Sequence, residues 1–184
     1  VTGYGTLAGI AGLATALGAL SGLGFGLLLL QRASRSPHLL AACWRQALWT
    51  LGGSAMLLGG VYVVLAHWWL QSPLALPLLL AIAIPELLLA PLATLASYAF
   101  QARERMGWAG AMYALPPAGN VIALLACFLV GRDAGLPGYL HWHLGGAALS
   151  GASAITAVTL LMRLGWMPSS PSRRDLSEAS GFLA

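Results

Sequence analysis

The chain has 184 residues, 59% of them apolar and only 8% charged, whereas an ordinary soluble domain carries roughly 25% charged residues. Nine Arg, no Lys and five acids cannot cover the surface of a water-exposed fold, which excludes a soluble globular domain and a disordered chain. The pI of about 9.6 comes from arginines too dispersed to make a nucleic-acid face, so no nucleic-acid partner is expected. What remains is an all-α, polytopic bundle of hydrophobic helices whose first partner is membrane lipid.

A span needs about 20 helical residues, and five apolar segments are long enough. They run from about Tyr4 to Leu30, Gln46 to Trp68, Pro73 to Phe100, Trp108 to Val130 and Gly138 to Met162. None alternates with period two, so neither strands nor a membrane barrel compete. Residues 164–184 read as a linker followed by the start of a further helix, with Ser172 as N-cap and Asp175 three residues on. Cys43 and Cys127 fall toward opposite faces and read as small packing residues rather than a disulfide. No Cys or His cluster suggests a metal site, and no cofactor is implied.

Arginine counts orient the bundle. The first connection holds Arg32, Arg35 and Arg45, the third Arg103 and Arg105, and the tail Arg163, Arg173 and Arg174. The second connection holds none and the fourth only Arg132, beside Asp133. The arginine-rich connections are therefore cytoplasmic. His67-Trp68-Trp69 and His141-Trp142-His143 supply an outer aromatic belt. Five spans with a cytoplasmic C-terminus put Val1 outside with no visible signal. One helix before Val1 would repair this, so the sequence is expected to be an internal fragment of a larger transporter-like chain.

Short motifs then resemble a family. Gly3-Tyr4-Gly5, Gly22-Leu23-Gly24-Phe25-Gly26, Gln31-Arg32 and Ser36-Pro37 resemble the second helix of bacterial polysaccharide flippases. These belong to the multidrug/oligosaccharidyl-lipid/polysaccharide exporter superfamily. Phe100-Gln101-Ala102-Arg103-Glu104-Arg105 resembles that family's cytoplasmic turn between the fourth and fifth helices, and Ser172-Arg173-Arg174-Asp175-Leu176 the stretch before the seventh. Ser21 departs from the acidic residue often found before the Gly-x-Gly, and the first helix is absent. The resemblance implies helices two to six of a six-helix N-terminal lobe in the bacterial inner membrane. Its substrate would be an undecaprenyl-diphosphate-linked oligosaccharide, and its further partner the missing remainder of the same chain, with the C-terminal lobe. The orientation from the arginines agrees with that assignment.

Glu86 is the sharpest single feature, because a carboxylate at a helix centre costs roughly 2.5–3.5 kcal/mol on insertion scales. It reads as a site for a coupling proton or cation, or as a contact for sugar hydroxyls; the bland alternative is a protonated side chain bonded to a neighbouring helix. Pro77, Pro85 and Pro91 lie in the third segment, whose 28 residues would span roughly 42 Å, so a bent, cavity-lining helix is expected there, with simple tilt as the alternative. Pro116 and Pro117 are expected to interrupt the fourth segment, and Asn120 then either reads a sugar or cross-links two helices. Gly18, Gly22 and Gly26, with Gly52, Gly53, Gly59 and Gly60, read as close-packing positions. Arg32, Arg35, Arg103 and Arg105 are candidate headgroup contacts, with topology setting as the plainer role; Arg45, at the start of a span, is the candidate pathway arginine. His141 and His143 do not share a helix face and read as interfacial anchors.

An enzyme is disfavoured because one deep carboxylate makes no catalytic constellation. The expected function is part of an alternating-access flippase for polysaccharide export. A cation-coupled small-molecule or drug exporter of the same superfamily, or a non-transport scaffold subunit, stand as alternatives. The fragment alone is expected not to transport. A reporter enzyme active only outside the cytoplasm should be silent when fused after Glu104 and active when fused after Asp133; the reverse pattern would overturn the orientation.

Overall fold

Apolar segments with no water to bond their backbone must close their hydrogen bonds internally, and here they do so as helices. The computed structural model describes residues 2–22, 24–68, 74–130 and 135–162, with side-chain environments from residue 8 onward. In chain order the elements are α1 (Thr2–Leu20), α2 (Phe25–Arg35), a 3-10 turn (Pro37–Leu39) and α3 (Leu40–Trp68). Then follow α4 (Leu76–Ile84), a π turn (Pro85–Leu89), α5 (Ala90–Gln101), α6 (Met106–Val130) and α7 (Gly135–Met162). Grouped by continuity they make five stretches long and apolar enough to cross a membrane: Ala8–Arg35, Pro37–Trp68, Leu76–Gln101, Met106–Val130 and Gly135–Met162. Among the described residues there is no strand.

The expected bundle of spans is therefore present, with shifted ends. The second span begins near Pro37 rather than Gln46, because Pro37 opens a 3-10 turn that leads straight into α3. Arg45 accordingly lies inside that helix and not at its mouth. Trp69, Arg132, Asp133 and residues 163–184, including the expected linker and helix start, lie outside the described residues.

Two spans are discontinuous. The first divides at Ser21–Gly24, where Gly22 and Gly24 take φ of +80° and +75°, a left-handed region open to glycine and costly for other residues. Gly22 is thus a breaking residue rather than a packing one. The third span widens into the π turn that begins at Pro85. The expected interruption of the fourth span does not occur: α6 runs unbroken through Pro116 and Pro117. Helices tolerate proline in membranes when neighbours satisfy the freed groups. Pro77, expected to lie inside a helix, instead sits in the first turn of α4, where a missing N–H costs nothing.

Two apolar cores stack along the bundle. One joins Leu29 and Ala33 of α2, Leu40 and Trp44 of α3, Phe100 of α5 and Val158 of α7. The other joins Ile10 and Ala14 of α1, Tyr62 of α3, Ile82 of α4 and Leu140 of α7. The first core brings the arginine-bearing ends of α2, α3 and α5 to one end of the bundle. The Arg105 guanidinium there donates to the Leu161 carbonyl at 3.1 Å, placing the end of α7 on the same face. The outer surface is apolar, with Trp49 83%, Met56 82% and Trp68 80% exposed on α3, as lipid-facing residues should be.

α6 crosses α7 closely at Gly119 and Gly146. A Cβ on Gly119 would collide with Ser150 Oγ and stand 2.7 Å from the Gly146 carbonyl oxygen; one on Gly146 would collide with the Gly119 carbonyl. Of the glycines expected to pack, Gly18 and Gly26 do, against the Glu86 carbonyl and the Tyr98 ring. Gly52, Gly53 and Gly60 face open space, and Gly59 makes only ordinary contact with Leu87. Gly146→Val should therefore destabilise the bundle by about 1–3 kcal/mol, whereas Gly52→Ala should be neutral or slightly stabilising. Unfolding in detergent, followed by helicity, checks both.

Candidate functional site

Proline chemistry builds the site. Pro91 brings no N–H, so it serves neither the Leu87 carbonyl four residues back nor the Glu86 carbonyl five back. Both oxygens lie at the middle of the third span. The end of α1 covers them: Ser21 Oγ donates to the Leu87 carbonyl at 2.6 Å, and Gly18 approaches the Glu86 carbonyl so closely that a Cβ there would stand 2.5 Å away. The break after α1 is held on its other side by α3, where the Gly22 N–H donates to Ser54 Oγ at 2.9 Å. Ser54 in turn donates to the Leu51 carbonyl at 3.0 Å. The glycine break and the π turn are thus two halves of one polar layer, set between the two apolar cores.

Beside this layer lies a cleft of about 460 Å³. Its walls come from α1, α2, the break between them, α3 and one stripe of α5 that includes Thr94 and Tyr98. Glu86, half-buried, is part of its lining. Thr15 Oγ1 lies 3.3 Å from Glu86 Oε2 and 3.1 Å from the Ala11 carbonyl oxygen. Its single hydrogen serves one acceptor at a time. An ionised Glu86 can accept it; a protonated Glu86 can donate to Oγ1 while Thr15 bonds Ala11.

Glu86 also borders a second, much smaller cavity of about 20 Å³, on the side of α6 and α7. Asn120, His143 and Ser150 line the same space. The structure therefore brings together Glu86 and Asn120, two of the residues picked out by sequence, although Asn120 itself is largely exposed. It adds His143, which sequence reading had placed in the interfacial belt. His143 Nδ1 is buried and has no hydrogen-bond partner among the described residues, while its ring stacks on Tyr139 at 6.0 Å. His141 remains exposed, with Nδ1 2.6 Å from the Pro137 carbonyl oxygen. A histidine about two turns inside an apolar helix, on the face of small residues Gly146, Ala147 and Ser150, was the available signal. Spacing to His141 concealed it.

The arginines stand apart. None lines the cleft or the small cavity among the described residues. Arg32 borders a separate pocket of about 110 Å³ with Cys43 and Gln46. Arg32 and Arg35 occupy the last turn of α2, where cations complement the helix dipole. Arg103 is exposed in the tight turn after α5, where Glu104 takes φ +58°. Arg105, expected to meet a headgroup, is committed to the end of α7. Arg45 is half-buried on α3, away from the cleft lining. Of the expected kink prolines, Pro85 and Pro91 bracket the π turn, whereas Pro116 lines the small cavity. Cys43 and Cys127 are both free thiols, and no group of three His, Cys, Asp or Glu clusters among the described residues.

The chain matches no protein-family model, and no curated protein or solved structure is significantly similar to it.

Removing the Ser21 hydroxyl should uncover the Leu87 carbonyl at mid-membrane. Ser21→Ala is expected to cost about 1 kcal/mol and Ser21→Thr much less. Thermal unfolding in detergent separates the two variants; equal midpoints would mean the carbonyl finds another donor.

Proposed function

We propose that this chain is part of the N-terminal lobe of a membrane transporter that works by alternating access, and that its substrate is a lipid-linked oligosaccharide flipped across the bacterial cytoplasmic membrane. One observation carries the transporter reading: a cleft beside a broken helix and a π turn, both within membrane spans, with an ionisable carboxylate in its lining. Irregular backbone is tolerated at that depth where it is buried or lines a cavity, and intramembrane carboxylates mark substrate or ion pathways. A passive scaffold has no need of either. The oligosaccharide branch is supported by the loop motifs around Gly22–Gly26 and Gln101–Arg105. It is also supported by the cleft's lining of Thr15, Ser21, Thr94 and Tyr98: the Thr and Ser hydroxyls donate to the protein, and their oxygens keep lone pairs that can accept from sugar hydroxyls.

In this reading the cleft takes the sugar while the lipid tail stays in the bilayer. The arginine-bearing end attracts the diphosphate from the cytoplasmic leaflet by charge, without a fixed pair. The facing lobe closes the cleft.

Native mass spectrometry of the chain in detergent should show preferential binding of undecaprenyl-diphosphate-oligosaccharide over undecaprenyl diphosphate. Thr94→Trp, which fills the cleft, should weaken that binding at least tenfold. Equal binding of the two lipids would remove the oligosaccharide reading. Preferential binding of a small organic cation, lost in Glu86→Gln, would favour the drug-exporter alternative.

A further inference from the structure

We propose that the pocket between α2 and α3 at the arginine-bearing end binds an anionic glycerophospholipid of the adjoining leaflet, with the phosphate on Arg32, an ester carbonyl on Gln46 and an acyl chain along Leu28 and Phe25. This lipid site is separate from the cleft and stands whether or not the chain transports.

The pocket has a volume of about 110 Å³. Phe25, Leu28, Leu29 and Arg32 of α2 line one side, and Cys43 and Gln46 of α3 the other. Sites for whole drug-sized ligands run to roughly 300–1,000 Å³, so this one suits part of a molecule whose remainder lies elsewhere. Leu28 is 41% exposed, and Arg32 and Gln46 are exposed as well. The pocket therefore opens on the outer surface of the bundle, where a lipid can seat one segment and leave the rest in the bilayer.

Its groups follow the order of a glycerophospholipid. Along α2, Arg32 lies three residues from the helix end at Arg35, about 4.5 Å at 1.5 Å per residue. Leu28 and Phe25 lie seven and ten residues from the same end, about 10 and 15 Å in. The chain turns at that end through the 3-10 turn, and α3 runs back along α2. The Arg32 charge acts on the Cys43 thiol, which sets the guanidinium level with it. Gln46 stands three residues, about 4.5 Å, further into α3 than Cys43. Going inward, a guanidinium, an amide and an apolar wall are met in turn, as phosphate, ester carbonyl and acyl chain are in the lipid.

Charge selects the headgroup. α2, the 3-10 turn and α3 carry no Asp or Glu, while Arg32 and Arg35 share the last turn of α2. These elements offer a phosphate two guanidinium groups and offer the ammonium of a zwitterionic lipid no carboxylate. A guanidinium matches phosphate oxygens with paired N–H groups, and basic pockets between transmembrane helices bind anionic lipid headgroups. A polyprenyl phosphate brings the anion but no ester carbonyl, and leaves the Gln46 amide without its acceptor. Phe25 lines both this pocket and the cleft, so a chain lying here touches a ring that also walls the cleft.

Native mass spectrometry of the 184-residue chain in detergent, with defined lipids added, tests the site. Phosphatidylglycerol should bind about fivefold or more tightly than phosphatidylcholine of the same chains. Arg32→Gln should abolish that preference, whereas Arg103→Gln, in the exposed turn after α5, should keep it. The diether analogue of phosphatidylglycerol should bind the unaltered chain about two- to fivefold more weakly than the diester, and Gln46→Leu should bind the two equally. The diether comparison on the unaltered chain needs no variant to fold. An equal loss in Arg32→Gln and Arg103→Gln overturns the pocket and leaves diffuse attraction to arginine. Equal binding of diether and diester to the unaltered chain overturns the placement of the ester on Gln46. Tighter binding of undecaprenyl phosphate than of phosphatidylglycerol, lost in Arg32→Gln, overturns the phospholipid and gives the pocket to a polyprenyl lipid.

Discussion

A proline without an N–H at the middle of a membrane span is the constraint on which the rest of this structure depends. Pro91's one missing N–H would have served either the Glu86 or the Leu87 carbonyl oxygen, in a medium where an unsatisfied group costs several kcal/mol. The chain answers with a second irregularity rather than with water. Ending α1 at a glycine break lets the Ser21 hydroxyl and the Gly18 backbone reach those oxygens. The break would leave its own amide uncovered, and Ser54 of α3 accepts from it. Three spans are therefore tied at one level by short bonds.

That level divides the apolar packing into two cores, and the division has consequences for function. A continuous core resists local rearrangement, because close-packed interiors do not deform gradually. Here a polar layer interrupts the packing between two cores. In transporters, binding sites lie at helix discontinuities of this kind, which is the basis of the proposal above. Glu86 occupies the joint itself: its carbonyl meets Gly18, its carboxylate meets Thr15, and its side chain borders both cavities. A change in its protonation is a change in the contacts that hold the break.

The α6–α7 pair is built differently. Glycine against glycine brings the two backbones together, and Ser150 bonds across to the Leu115 carbonyl near the prolines of α6. This pair is unbroken and closely packed. It also supplies the far side of the small cavity, which places His143 and Asn120 within reach of the π turn.

Much of the fold was legible in sequence, because it follows from one-dimensional quantities. Length and apolar content decided the number of spans, and the alternation of arginines agrees with the common face that Arg105 and Leu161 define. Glu86 stood out for the same reason: its cost depends on depth, and depth follows from position in the span. What sequence could not supply was the partner of each irregular residue. Gly22 and Gly52 look alike in a string, yet one turns the chain at a left-handed φ and the other faces open space. Pro91 and Pro116 look alike, yet one adjoins a π turn and the other sits in an unbroken helix. His143 looked like an anchor because its neighbours in sequence are interfacial, while its neighbours in space are Glu86 and Asn120. The sequence by itself determined that this chain must be helical, membrane-embedded and burdened with one deep carboxylate, since those properties depend on composition along the chain. Only the tertiary structure decided which helix breaks, which carbonyl is capped and which side chains share a cavity. Satisfying a backbone group in an apolar medium depends on what lies across the interface, not on what lies next along the chain.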